Sequence, residues 1–200
     1  MPCSPKVILI TGCSTHGIGA ALALELARQG HYIFATARPI TKVPESLTSL
    51  ASVHVLPLDV TDPTSISEAV RAVGEHGHGL DILVNHAGTG YTMPLLDADV
   101  DQAKQVYEAN VRGLLRLIQA CSDLLITSKG RIINISSVGA VVNPPWIGNY
   151  SLLPFLYSLL RSERTHGVLI KSKIAGKNCI SAPCSPQYTQ RISTTSPIWQ

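Results

Sequence analysis

The sequence is short of several things, and each shortage removes a class of protein. Its five cysteines, Cys3, Cys13, Cys121, Cys179 and Cys184, are odd in number, widely scattered and contain no Cys-x-x-Cys. With no secretory leader ahead of them, they read as reduced thiols in a cytoplasmic protein rather than as a disulfide framework. Long apolar runs are missing too. Val7-Ile8-Leu9-Ile10 is too short for a signal-peptide core, and Pro154 interrupts the run 152–160, itself too short to span a bilayer. No membrane span is expected. His76 and His78 flank Gly77 in a Gly-rich turn with no second group of ligands nearby, so they read as a solvated loop and no metal is expected. A formal net charge of +3 gives no ground for a nucleic-acid partner.

Acidic residues are nearly absent from one part of the chain. Residues 1–150 carry ten Lys+Arg and twelve Asp+Glu, net −2, whereas 151–200 carry six Lys+Arg and only Glu163, net +5. The two parts differ in kind. What is present is 200 residues with 45% apolar content, enough for one domain with a buried core.

Apolar runs of four to six residues alternate with stretches of helical period, the mark of β-α-β units around a parallel sheet covered on both faces. Strands are expected at Lys6–Thr11, Tyr32–Thr36, Val53–Leu58, Asp81–Val84 and Arg131–Ile135. Helices are expected at Ile18–Gln29, stopped by Gly30, and at Thr64–Val73, with Asp62 or Thr61 as cap and Pro63 in the first turn. Two more are expected at Asp99–Asn110 and Val111–Ile126. Right-handed crossovers then give a doubly wound α/β sheet of the Rossmann type, whose ligand crevice lies at the carboxyl ends of the strands.

Most of the distinctive residues fall at such ends. The first strand runs into Thr11-Gly12-Cys13-Ser14-Thr15-His16-Gly17-Ile18-Gly19 and then a helix. Glycines there let backbone approach a pyrophosphate, and the free N–H groups of the helix stabilise its charge. The second strand ends Ala35-Thr36-Ala37-Arg38, with no carboxylate to hold a ribose 2′-hydroxyl. An Arg there pairs with the 2′-phosphate of NADP, so NADP(H) is the expected cofactor. Asp59 ends the third strand, where a carboxylate accepts from an adenine amino group. Asn85-His86-Ala87-Gly88 ends the fourth, with Asn85 placed to brace the sheet and His86 read as a packed loop histidine. Asn110 opens a helix, where a simple N-cap role is the alternative. Asn134-Ile135-Ser136-Ser137 ends the fifth, and Tyr150 stands 13 residues beyond Ser137.

In order, spacing and residue type these segments resemble the short-chain dehydrogenase/reductase family. Thr11, Gly12, Gly17, Ile18 and Gly19 match its glycine motif, with one extra residue between the glycines. Asn85, Ala87 and Gly88 match its Asn-x-Ala-Gly element, and Asn110, Ser137 and Tyr150 match its asparagine, serine and tyrosine. Within the family the tenor is that of fungal reductases similar to acyl-dihydroxyacetone-phosphate reductase. The resemblance implies hydride transfer between NADPH and a ketone, aldehyde or secondary alcohol. Tyr150 would give a proton to the developing alkoxide and Ser137 would hold that oxygen.

The family also places a lysine four residues after the tyrosine, and here that position is Pro154. No lysine occurs between Lys129 and Lys171, and a tyrosine acting near neutral pH needs a positive neighbour. From there the family pattern fades. Thr165–Lys173 is a candidate remnant of its sixth strand, and 178–200 is rich in Ser, Thr, Pro and Gln with the single charge Arg191. The expected organisation is therefore an NADP-binding domain over 1–164, with a sheet incomplete at its C-terminal strands, and an irregular tail over 165–200. Charge shift, lost lysine and missing strands together suit a reading frame or splice pattern that departs soon after Tyr150. They equally suit a selected variant that binds nucleotide without turnover. Family members commonly assemble as homodimers or tetramers through the helix carrying the tyrosine, so a homo-oligomer is implied as well.

Overall fold

The computed structural model describes residues 4–137, 164–165 and 168–174. Tyr150, Pro154, almost all of 151–164 and the tail 178–200 lie outside the described residues. Strand β1, Val7–Thr11, is buried at all five positions. Successive side chains point to opposite faces, so Val7 and Leu9 join one apolar cluster while Ile8 and Ile10 join another. That is why the strand reads as a continuous apolar run.

The remaining strands are β2 (Tyr32–Ala37), β3 (Val53–Pro57), β4 (Ile82–Asn85), β5 (Arg131–Ser136), β6 (Arg164–Thr165) and β7 (Val168–Ile174). They lie in the order β3-β2-β1-β4-β5-β7-β6. All pairs are parallel except β6 with β7. The order reverses at β1, which pairs with β2 on one side and β4 on the other. A crevice therefore opens between the carboxyl ends of β1 and β4. β7 overlaps Thr165–Lys173, ending one residue beyond it, and runs beside β5 from Arg131↔Leu169 to Ser136↔Ile174. The irregular tail expected from residue 165 thus contains a strand, because β5 would otherwise offer an open edge of unpaired backbone groups.

One face of the sheet is covered by α1, Ile18–Arg28, through the small buried residues Ala20, Ala23 and Ala27. The short helix α2, Glu45–Thr48, adds Leu47 to the same layer. The other face is covered by α3 (Pro63–Glu75), α5 (Leu114–Ala120) and α6 (Ser122–Thr127), with Ile66, Val73, Leu117 and Leu125 packed on Leu9, Phe34 and Leu83. Each fully buried Leu, Ile or Phe contributes about 1.5–3 kcal/mol relative to exposure. The Asp62 carboxylate accepts from the Thr64 N–H and Pro63 opens α3, as its sequence led one to expect.

Two expectations are corrected. Residues 99–126 do not form two plain helices. α4, Val100–Tyr107, passes into a π-helical turn, Glu108–Gly113, before α5 begins, so Asn110 neither opens nor caps a helix. Gly113 comes so close to the loop after β3 that a Cβ would lie 2.7 Å from the Val60 carbonyl oxygen. The wider turn allows that approach while burying Asn110. His76, in turn, is half-buried rather than fully solvated. Its ring packs 4.0 Å from Tyr32 and 5.0 Å from His78, centroid to centroid, leaving His78 as the exposed member. No described helix is long and apolar enough to cross a membrane.

Candidate functional site

The carboxyl ends of β1 and β4 are sewn together by one hydroxyl. Thr11, buried at the end of β1, accepts from the His86 N–H at 2.9 Å and the Ala87 N–H at 2.8 Å. This fixes the Asn85-His86-Ala87-Gly88 turn against the glycine turn. The approach is close: a Cβ on Gly12, at φ +79°, would meet the Ala87 Cα at 3.0 Å, and one on Gly19 would lie 2.5 Å from the Gly12 carbonyl oxygen. The site wall is thus backbone, which only glycine permits at these two positions. The His86 ring packs behind it, with Nδ1 about 3 Å from where either Cβ would stand. Burial lowers its pKa, against a smaller opposing pull from the Gly12 and Thr11 backbone, which favours the uncharged ring.

In front of this wall lies a cavity of about 440 Å³. Of the expected cofactor residues, Gly12, Ser14, Arg38, Asp59, Ala87 and Gly88 line it. Gly17 stands at the N-terminus of α1, donating its N–H to the Ser14 carbonyl at 2.9 Å, and Ile18 projects into solvent beside it. Arg38 and Asp59 form an ion pair on the cavity lining at 2.6 Å. Asp59 also accepts from the Thr61 N–H at 2.9 Å and hydroxyl at 2.7 Å. Burial alone would raise its pKa, but the bonds from Arg38 and Thr61 outweigh it and hold the carboxyl low. Both carboxylate oxygens are thus engaged by the protein itself.

Two buried amides brace the site from behind. Asn85 donates from Nδ2 to Asn134 Oδ1 at 2.9 Å, tying β4 to β5. Asn110 accepts from the Thr89 N–H at 2.8 Å and donates to the Thr89 carbonyl at 2.7 Å, closing a two-point pair on the strand-end loop. Ser137, half-buried, follows the end of β5. Tyr150 lies outside the described residues, so the Ser137–Tyr150 pair is not seen together.

Sequence reasoning missed the cavity's far wall, formed by Val60, Thr61, Thr89, Gln105, Glu108 and Ala109. Glu108 is held by Arg112 at 3.1 Å and by a short contact to Arg116. Those guanidiniums, Arg116 foremost, keep its carboxyl below the ordinary range. The Glu108–Arg112 spacing was a visible signal of an ion pair, though not of a cavity wall. Cys13 and Cys121 are buried free thiols pushed up to about 12 by burial, which makes them poor nucleophiles.

The family model described as short chain dehydrogenase matches residues 6–152. This chain belongs to the short-chain dehydrogenase family. It is 42% identical over 177 residues to short-chain dehydrogenase PC-15 of Penicillium crustosum, covering 86% of this chain and 65% of that protein. It is 38% identical over 138 residues to the NADPH-dependent 1-acyldihydroxyacetone phosphate reductase of Schizosaccharomyces pombe, covering 68% of this chain and 46% of that one. Among solved structures, an alcohol dehydrogenase from the archaeon Thermococcus sibiricus, complexed with 5-hydroxy-NADP, matches with a TM-score of 0.72 and 29% identity over 79% of this chain and 69% of that one. The chain spans between about half and two thirds of the length of the curated relatives it matches. A likeness covering 86% of the chain must pass residue 152, into the stretch where the charge balance shifts.

Proposed function

We propose that this member of the family is an NADP(H)-dependent oxidoreductase acting on a ketone, aldehyde or secondary alcohol. The observation that carries the cofactor reading is Arg38 on the cavity lining at the end of β2, where an NAD-preferring site would place a carboxylate. The residues present fit a dinucleotide. Glycine backbone leaves room for a pyrophosphate at the start of α1, and the guanidinium offers a fork to a phosphate. The fungal relative named as NADPH-dependent and the archaeal NADP complex support the same reading. When bound, the nicotinamide supplies or accepts the hydride. Gly12, Ser14, Gly17, Ile18 and Gly19 hold the diphosphate side, while Arg38 and Asp59 hold the adenosine side. Asn85, Ala87 and Gly88 form the wall behind. Asn110 keeps the Gly88–Thr89 loop in place. Ser137 hydrogen-bonds the reacting oxygen and Tyr150 exchanges a proton with it.

Pro154 favours a second reading, in which the chain binds NADPH but turns over poorly because Tyr150 lacks the cation that would lower its pKa. One pair of measurements separates the two: NADPH binding to the full chain, and NADPH absorbance over a panel of ketones and aldehydes. Carbonyl-dependent loss of absorbance supports the enzyme. Binding without turnover supports the second reading, and absence of binding by folded protein refutes both.

A further inference from the structure

We propose that Lys42 is a second cation for the cofactor's 2′-phosphate, and that Thr15 is the residue that positions it; this rests on the NADP(H) reading above. The segment leaving β2 is tied back to the glycine turn at two points. The Cys13 N–H donates to the Thr36 carbonyl at 2.8 Å. Beyond Arg38, the Lys42 carbonyl accepts from both the Thr15 N–H and the Thr15 hydroxyl, each at 2.7 Å. Val43 and Leu47, buried in the α1 layer, pin the chain immediately after Lys42. The Lys42 backbone is therefore fixed beside the turn that carries Ser14, while its side chain stays exposed and free to swing.

Charge supplies the need for it. A phosphate monoester brings about −1.5 to −2 charges near pH 7. Among the described residues the cavity lining offers it one guanidinium, Arg38, which is already bonded to the Asp59 carboxylate at 2.6 Å. Glu108, the other carboxylate on the lining, uses Arg112 and Arg116. Arg38 thus meets the phosphate with part of its charge spent. Among the described residues, Lys42 forms no ion pair and is the cation whose backbone is bonded to the glycine turn. Lys42 follows Arg38 by four residues on the same strap, and the proposal is that its exposed side chain reaches the ribose phosphate rather than the diphosphate.

The test is titration of the full chain with NADPH and with NADH, read by cofactor fluorescence, for the wild type and for Lys42→Gln, Lys42→Arg, Thr15→Val and Arg38→Gln. Lys42→Gln is expected to weaken NADPH about tenfold, the loss of one charge-assisted bond, and to leave NADH unchanged. Lys42→Arg is expected to retain the preference, and Thr15→Val to lose part of it in the same direction. Equal weakening of both dinucleotides would place the cation on the diphosphate and overturn the proposal, as would an unchanged NADPH affinity. A preference lost in Arg38→Gln but kept in Lys42→Gln overturns this proposal alone. A wild type that does not prefer NADPH overturns the NADP(H) reading with it.

Discussion

Replacing Thr11 by valine tests how the site is assembled. Valine keeps the shape and strand preference of threonine but removes the oxygen that accepts from the His86 and Ala87 N–H groups, at 2.9 and 2.8 Å. Thr11 is 1% exposed, so water has little room to replace it. Leaving a buried donor unsatisfied costs about 1–3 kcal/mol. Two such donors give about 2–4 kcal/mol once the half-buried position of the turn is allowed for. Thr11→Ser keeps the acceptor and gives up one methyl, costing about 1 kcal/mol. Urea unfolding of the two variants, compared at equal slope, measures the difference. NADPH affinity should fall in Thr11→Val and not in Thr11→Ser, because Ala87 forms the cavity wall. If valine proves as stable as serine, the hydroxyl is not what joins β1 to β4, and the account of the wall fails.

Asn110→Leu should cost about 2 kcal/mol by breaking its two-point pair with Thr89, and should loosen the Gly88–Thr89 wall enough to weaken dinucleotide binding. Equilibrium unfolding and cofactor titration check both effects. Asp59 has a lowered folded pKa, so its contribution is present above its unfolded value near 4 and is lost as pH falls through the folded one. Asp59→Asn should flatten that part of a stability-against-pH curve. His76 is also lowered, by burial first and then by His78 and His54, but for a base the sign reverses. The unfolded chain takes up the proton first, so stability drops from about pH 6.5 downward, and His76→Phe should make that slope shallower while keeping the packing on Tyr32. Cys13 and Cys121 should resist alkylation in the native protein and react once it is unfolded, as peptide mapping by mass would show.

Much of this fold was readable from local pattern. The apolar β1, the Ala-rich sheet-facing side of α1, the Asp62-Pro63 start of α3 and the residues at strand ends all follow from side-chain period and backbone preference within a dozen residues. The stretch 99–126 was misread because its helical period is continuous, while the π turn within it answers to an approach by Val60, about fifty residues earlier in the chain. β7 was legible only as a remnant, since its place is owed to the distant strand it pairs with, here β5.

The site divides along the same line. Glycine turn, Arg38, Asp59 and the Asn-x-Ala-Gly element were identifiable in sequence because a phosphate-binding turn and a strand end are made of neighbouring residues whose types are dictated by backbone shape and charge. That Thr11 would hold residues 75 and 76 positions away, that Arg38 would spend itself on Asp59, and that Thr15 would grip the Lys42 carbonyl were not. Those contacts exist because parallel pairing places the carboxyl ends of β1, β2, β3 and β4 side by side. Local pattern chose which residues stand at each strand end, and register chose which of them meet.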